Sequence, residues 1–297
     1  MQLFHSSAGL SATFDESNLV SAAGLVPAMA LAVKTGLGEL TDQRVSLPGY
    51  FGANAGLKVT ALVAGMVAGA DSIDDMAILR HGGMRKLFTG AYAPSTLGSF
   101  LRAFTFGHVH QLDAVASRWL TNLAAVAPIM AGIDDYALVD IDDTVKEVHG
   151  YQKQGSGYGY SGVRGLNALI GIVSTATSAP VIIASRLRKG ATGSARGAGK
   201  FVGDALAAVA RLRTPTAAGL VLLRADSAFY GHLPSGIFTA NAAWLALATI
   251  AFNLSRAIGS LAGTELGKAR SATIRRKLIN LPAPYRTGIR LPYWAVA

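Results

Sequence analysis

Ala137-Leu138-Val139-Asp140-Ile141-Asp142-Asp143-Thr144-Val145 alternates apolar with acidic residues. Successive side chains of a β-strand point to opposite faces, so Asp140 and Asp142 share one face and Val139 and Ile141 the other. Two carboxylates in line on one face repel, and the natural remedy is a cation beside them. A second acid closes another apolar run, Gly219-Leu220-Val221-Leu222-Leu223-Arg224-Ala225-Asp226. Two strands that each deliver a carboxylate suit a divalent metal held by oxygen ligands.

The sequence between these runs sets the fold class. Leu166–Ser174 is apolar and β-branched toward its end, Thr175–Ala179 is a turn, and Pro180–Ser185 is another strand. A helix from Gly193 or Ser194 to Arg213 then carries Phe201, Ala205, Leu206, Val209 and Leu212 on one side. The order β-β-β-α-β defines a mixed α/β core over 136–231 and resembles the topology of an RNase H-like core, which implies that the first and fourth strands lie side by side. Residues 1–135 read as all helical, with helices over 16–36, 55–70, 71–80, 94–104 and 113–126. The 73–105 segment admits a helix-turn-helix whose reading helix is 95–105, or a plain helical packing unit. Residues 232–297 form a third, basic segment with helices over 238–262 and about 264–280.

Composition bounds the function. Of 297 residues, 51% are hydrophobic and 15% charged, enough to bury a large core. The net charge of +10 is uneven. Residues 1–150 hold 9 basic and 14 acidic residues, whereas 151–297 hold 18 basic and 3 acidic ones. Such asymmetry points to a polyanionic partner for the second half. The absence of cysteine excludes disulfides and zinc–thiolate sites. Gly165–Ser185 and Ser227–Ser255 are uncharged and long enough to span a bilayer, but polar residues and proline interrupt both, so no membrane association is expected. Met1–Ser6 lacks the basic and apolar regions of a signal peptide, and a cytoplasmic location is expected.

Two basic stretches are candidate nucleic-acid contacts. The loop Gly155–Gly165 sets Tyr158 and Tyr160 between Lys153 and Arg164, a pattern suited to backbone contact with bases stacking on tyrosine, or else a flexible hairpin tip. Arg186, Arg188, Lys189, Arg196 and Lys200 follow the third strand and suit phosphate, or else form a solvated face. Asp143, followed by Thr144, reads as a turn acid. His108 and His110 read as ordinary surface or core residues.

Several strings resemble a DDE-type bacterial insertion-sequence transposase: Asp140-Ile141-Asp142-Asp143-Thr144, the Tyr151–Tyr160 stretch, Val163–Leu169, Ser185-Arg186-Leu187-Arg188-Lys189-Gly190, Leu223–Tyr230, and Leu233-Pro234-Ser235-Gly236 with the helix up to Leu254. Together they cover nearly the whole chain. The resemblance implies an RNase H-like catalytic core that binds two Mg²⁺ ions, and cut-and-paste movement of a DNA element at its terminal inverted repeats by a homo-oligomer in the nucleoid. It matches Asp142 to the first family aspartate, with Asp140 as the neighbouring alternative, and Asp226 to the second. The family's third acid, a helical Glu, has no counterpart. Glu265 is the only acid after Asp226 and lies beyond Leu233–Leu254, whereas the family's Glu precedes that segment. Gly231-His232 reads as the seam of an internal deletion. The expected function is therefore an impaired transposase; the other readings are a DNA-binding remnant that cannot cut, and a basic membrane-associated helical protein.

Overall fold

The structure, a computed structural model, describes residues 18–88, 90–149, 153–159, 162–193, 196–225 and 237–284. The chain folds as mixed α/β, and its organising strand, β1 (Tyr136–Glu147), sits inside an open sheet. β2 (Arg164–Ser174) pairs antiparallel with β1, and β3 (Val181–Lys189) antiparallel with β2. After helix α6 (Ala198–Leu212), β4 (Leu220–Ala225) returns to the other side of β1 and pairs with it in parallel. The strand order is thus β3-β2-β1-β4, with the first and fourth strands neighbours as the sequence led one to expect. The two-residue piece Gly157–Tyr158 adds to the end of β2.

The parallel pair is pinned where it begins. Asp134 accepts hydrogen bonds from Thr214 N–H and Thr214 Oγ1, each at 2.9 Å, and Gly219 N–H donates to its carbonyl. Arg213 bridges the carbonyls of Asp134 and Gly219 at 3.0 and 2.7 Å. Gly219 is required here, since a Cβ would lie 2.1 Å from the Asp135 carbonyl oxygen.

Alternation assigns the two sheet faces. Ala137, Val139 and Ile141 are buried, and Phe201 and Ala205 of α6 lie beside Ile141 over Gly171. The opposite face receives α7 (Phe238–Leu261), whose Thr249 bonds Ser185 and whose Asn253 bonds the backbone of Ile182 on β3. On the far side α7 meets α1 (Leu25–Lys34), α3 (Ala55–Ala68), α4 (Pro94–Arg102) and α5 (Phe106–Val126), while α2 (Leu37–Arg44) packs on α3 and α5. It is therefore the axis on which the helical region and the sheet share one hydrophobic core. α7 is long and apolar enough to cross a membrane, but 89% of its most apolar window is buried inside the protein, as befits a core helix.

Three local readings change. Asp74–Arg80 and Gly82–Lys86 are 3₁₀ segments rather than an α-helix, with Asp75 Oδ2 accepting from Ser72 N–H and Oγ, so 73–105 does not form a helix-turn-helix. The helix placed at 113–126 begins two turns earlier, because Thr105 and His108 form a reciprocal cap at its start. The helix placed at 264–280 is broken into Thr264–Gly267, Ser271–Ile274 and a π-turn at Arg275–Ile279; the buried Arg256 guanidinium takes the carbonyls of Gly267 and Ala269.

The helical layer is fastened by a short polar contact. Trp119 of α5 is fully buried, and its indole N–H donates to Thr35 Oγ1 at 2.7 Å, just after α1. Thr35→Val would leave that donor buried without an acceptor. It is expected to lower stability by about 1–3 kcal/mol in urea titration, with Thr35→Ser close to wild type.

Candidate active site on the open sheet face

Asp140 and Asp142 lie side by side on the α7 face of β1, opposite Ile172 and Ile170 of β2. The cation that their repulsion calls for is present in the protein itself. Arg224 of β4 stands directly across the parallel pair from Asp140, and its Nε donates to Asp140 Oδ1 at 2.6 Å. The carboxylate is largely covered and the guanidinium 67% exposed, so the pair sits at the rim of an open face. Asp140, the neighbouring acid of the expected metal pair, is thus held by a guanidinium in this structure. Ile141 pairs with Ala225, the last described residue of β4, so Asp142 and Asp226 are each the chain neighbour of a paired residue. Asp226 itself lies outside the described residues, as do Tyr160 and the seam at Gly231-His232. Glu265 is exposed on the short turn that packs on the end of α7.

The other face of β1 explains Asp143. It is not a turn acid but the end of a buried ladder across three strands. Arg188 Nη2 donates to Asp143 Oδ2 at 3.0 Å, Arg188 Nε to Asn167 Oδ1 at 2.8 Å, and Asn167 Nδ2 to Asp143 Oδ2 at 3.2 Å. A fourth bond runs from Arg188 Nη1 to the Arg196 carbonyl at 2.9 Å. Burial pulls the Arg188 guanidinium below its ordinary range, and the nearby Asp143 carboxylate opposes that shift. Arg188 therefore faces inward and holds strands together, contrary to its reading as a phosphate contact. The reason was legible: Ser185, Arg186, Leu187 and Arg188 continue the strand's alternation, and β3 runs on through Lys189 instead of ending where charge begins.

Arg186 is also committed. It lies over the Phe201 ring and pairs with Asp204 of α6 at 2.6 Å. The two groups line a cavity of about 270 Å³ between β3, α5, α6 and α7, together with His110 and Asp113 of α5. Burial pushes the Asp113 carboxyl up to about 7, with Arg186 lowering it and Asp204 raising it. Burial and the charges of Arg186 and Lys200 draw His110 down.

The remaining candidate cations gather at one end of the sheet. Lys189 pairs in register with Leu166, Arg164 with Tyr158, and Arg196 follows through the Arg188 contact. Lys189, Arg196, Lys200 and Tyr158 are exposed, and Lys153 and Arg164 half-buried. This end lies four residues, about 13 Å, along β2 from the level of Asp142. The glycines of the loop serve backbone contact: a Cβ on Gly190 would lie 2.0 Å from the Gly165 carbonyl oxygen and 2.5 Å from that of Gly157. Gly157 and Gly165 of the loop are thus packed on Gly190 at the sheet end.

No family model, curated protein or solved structure matches this chain.

Two outcomes follow from these charges. Arg188→Ala leaves Asp143 buried and unpaired, and should cost roughly 3–5 kcal/mol in equilibrium unfolding. The folded state holds the Asp113 proton up to about pH 7, whereas the unfolded chain releases it near its ordinary 3.8. The stability that this proton linkage contributes is full below the lower value and lost as pH rises to the upper one. Asp113→Asn should therefore flatten the stability–pH curve over that window and raise stability near pH 8 by about 2–4 kcal/mol, with no gain below about pH 4.

Proposed function

We propose that this chain is an insertion-sequence transposase with an RNase H-like core, which binds the terminal repeats of its DNA element and acts on them by phosphoryl transfer. The carrying observation is the strand order and direction: three antiparallel strands and a fourth returning in parallel beside the first, with acids in line on the first strand's open face. Asp142 and Asp226 would hold Mg²⁺, a hard cation suited to carboxylate oxygens. The metal supplies stabilisation of the charge that builds on the phosphate. Asp140 is held by Arg224 and orients that side of the face. Lys153, Tyr158, Arg164, Lys189, Arg196 and Lys200 form the end along which a DNA backbone would run. Tyr160 belongs with them by sequence. Protein of this kind would act as a homo-oligomer on DNA in the cytoplasm, at the nucleoid.

A second reading, a remnant that binds DNA without cutting it, has its own support. Arg224 occupies one of the two in-line acids, and Glu265 stands at the end of α7. The burial of α7 within the fold favours either DNA reading over a membrane-associated one.

The test uses linear DNA carrying the repeats that flank the chain's own coding sequence. Under the first reading Mg²⁺ yields cuts at the repeat ends, and Asp142→Asn or Asp226→Asn removes cutting while leaving affinity unchanged. Under the second, binding occurs with no cutting in any metal. In both, Lys189→Ala with Lys200→Ala should weaken binding and reduce the slope of log affinity against log salt by about two. Failure to bind these ends above random DNA would remove both readings.

A further inference from the structure

A second cavity, of about 220 Å³, opens between the sheet, α3 and α7, on the face that carries Asp140 and Asp142. Its walls are apolar: Leu187 and Ala168 from the sheet, Trp244, Leu245 and Phe252 from α7, and Met66 from α3. Lys146 lines it too. Lys146 lies four residues beyond Asp142 on β1, on the same face, and is half-buried. Its ammonium makes no hydrogen bond or ion pair with any other described residue.

The other two charges around the cavity differ from it. Arg275 Nε donates to the Val67 carbonyl at 3.3 Å, and Asp71 is an exposed acid at the rim whose backbone N–H donates to Asp75 Oδ2. An apolar hollow beside a half-buried lysine, its ammonium unpaired among the described residues, offers two complementary contacts. Burial of an apolar body gains free energy in proportion to its area. An anion at the mouth forms a charge-assisted contact with the ammonium. The same lysine could merely extend its head to water past an apolar stem, and that is the outcome the experiment must separate.

We propose that this cavity binds a small amphipathic anion, an apolar ring system of roughly ten carbons seated between Trp244 and Leu187 with its carboxylate on the Lys146 ammonium. Its size falls just below the range of small-ligand sites, which restricts it to compact ligands. The site needs neither DNA nor metal, so its success or failure is independent of the transposase reading. Because Lys146 and Asp142 share a strand face, an occupied cavity would sit beside the acids and influence what approaches them.

The probe is 2-naphthoate, titrated calorimetrically into the full chain, with 2-naphthalenemethanol as the neutral counterpart. Naphthoate is expected to bind at least about tenfold more tightly than the alcohol, a difference of about 1.4 kcal/mol. Lys146→Met should abolish the difference, and Lys146→Glu should reverse it. Ala248→Phe, which fills the cavity from α7, should remove binding of both. The two Lys146 variants change a group at the mouth and keep the test valid should the filled-cavity variant fail to fold. Equal affinity for acid and alcohol, naphthoate binding unchanged in Lys146→Met, or no binding up to roughly millimolar probe would each overturn the proposal.

Discussion

The buried contact between Arg188 and Asp143, closed through Asn167, is the constraint on which the sheet depends. It joins three strands at positions 143, 167 and 188, all on the α6 face. Burying a guanidinium and a carboxylate is costly unless every donor and lone pair finds a partner, and a shift of one residue in any strand would carry one member to the opposite face. The ladder therefore penalises every register but one. Fixing that register also fixes its converse. With Asp143 turned inward, the period-two geometry of β1 turns Asp140 and Asp142 to the other face, where both are half-buried and one Asp142 carboxylate oxygen is fully covered.

Legibility divided along physical lines. β1 and α6 could be read because they carry sustained periods of 2 and 3.6, and β2, β4 and α7 as apolar runs of strand or helix length; that β1 and β4 would be neighbours was expected from the likeness of the element order to an RNase H-like core. The misreadings came where charge was taken to mean surface. Arg186 and Arg188 looked like a run after a strand, yet they are the strand. Asp143 looked like a turn because Thr144 follows it, although its partner lies 45 residues away and no local pattern could reveal it. Arg224 was visible two residues before Asp226, but only parallel pairing with β1 shows that it answers Asp140. The start of α5 was missed because its cap uses His108 in the role usually taken by Glu or Gln.

The same lesson modifies the meaning of the net charge. Residues 151–297 carry 18 basic side chains, but several serve the interior. Arg188 ties strands, Arg213 holds the loop carbonyls before β1 and β4, Arg256 caps the chain after α7, and Arg186 pairs with Asp204. Among the described residues the field felt by a polyanion comes from the exposed remainder, notably Lys189, Arg196 and Lys200 at the end of the sheet and Lys268, Arg270, Arg276 and Lys277 after α7. Guanidinium suits the inner roles because its planar fork satisfies two carbonyls at once while retaining its charge.

The parallel pairing of β1 with β4 has a consequence for how this protein comes into being. Asp140 and Arg224 are 84 residues apart, whereas the β1–β2 and β2–β3 hairpins close over far shorter loops. Loop-closure entropy favours early formation of the local meander, with the crossover through α6 following it. β4 is moreover an edge strand whose Leu220, Leu222 and Leu223 remain 68%, 47% and 49% exposed, so little packing rewards its arrival. The strand that brings Arg224 to the acidic face is thus among the last to join the folding chain and among the first to peel away. Until it docks, Asp140 and Asp142 face water without their guanidinium, and the newly made chain carries an apolar edge open to other copies on the ribosome.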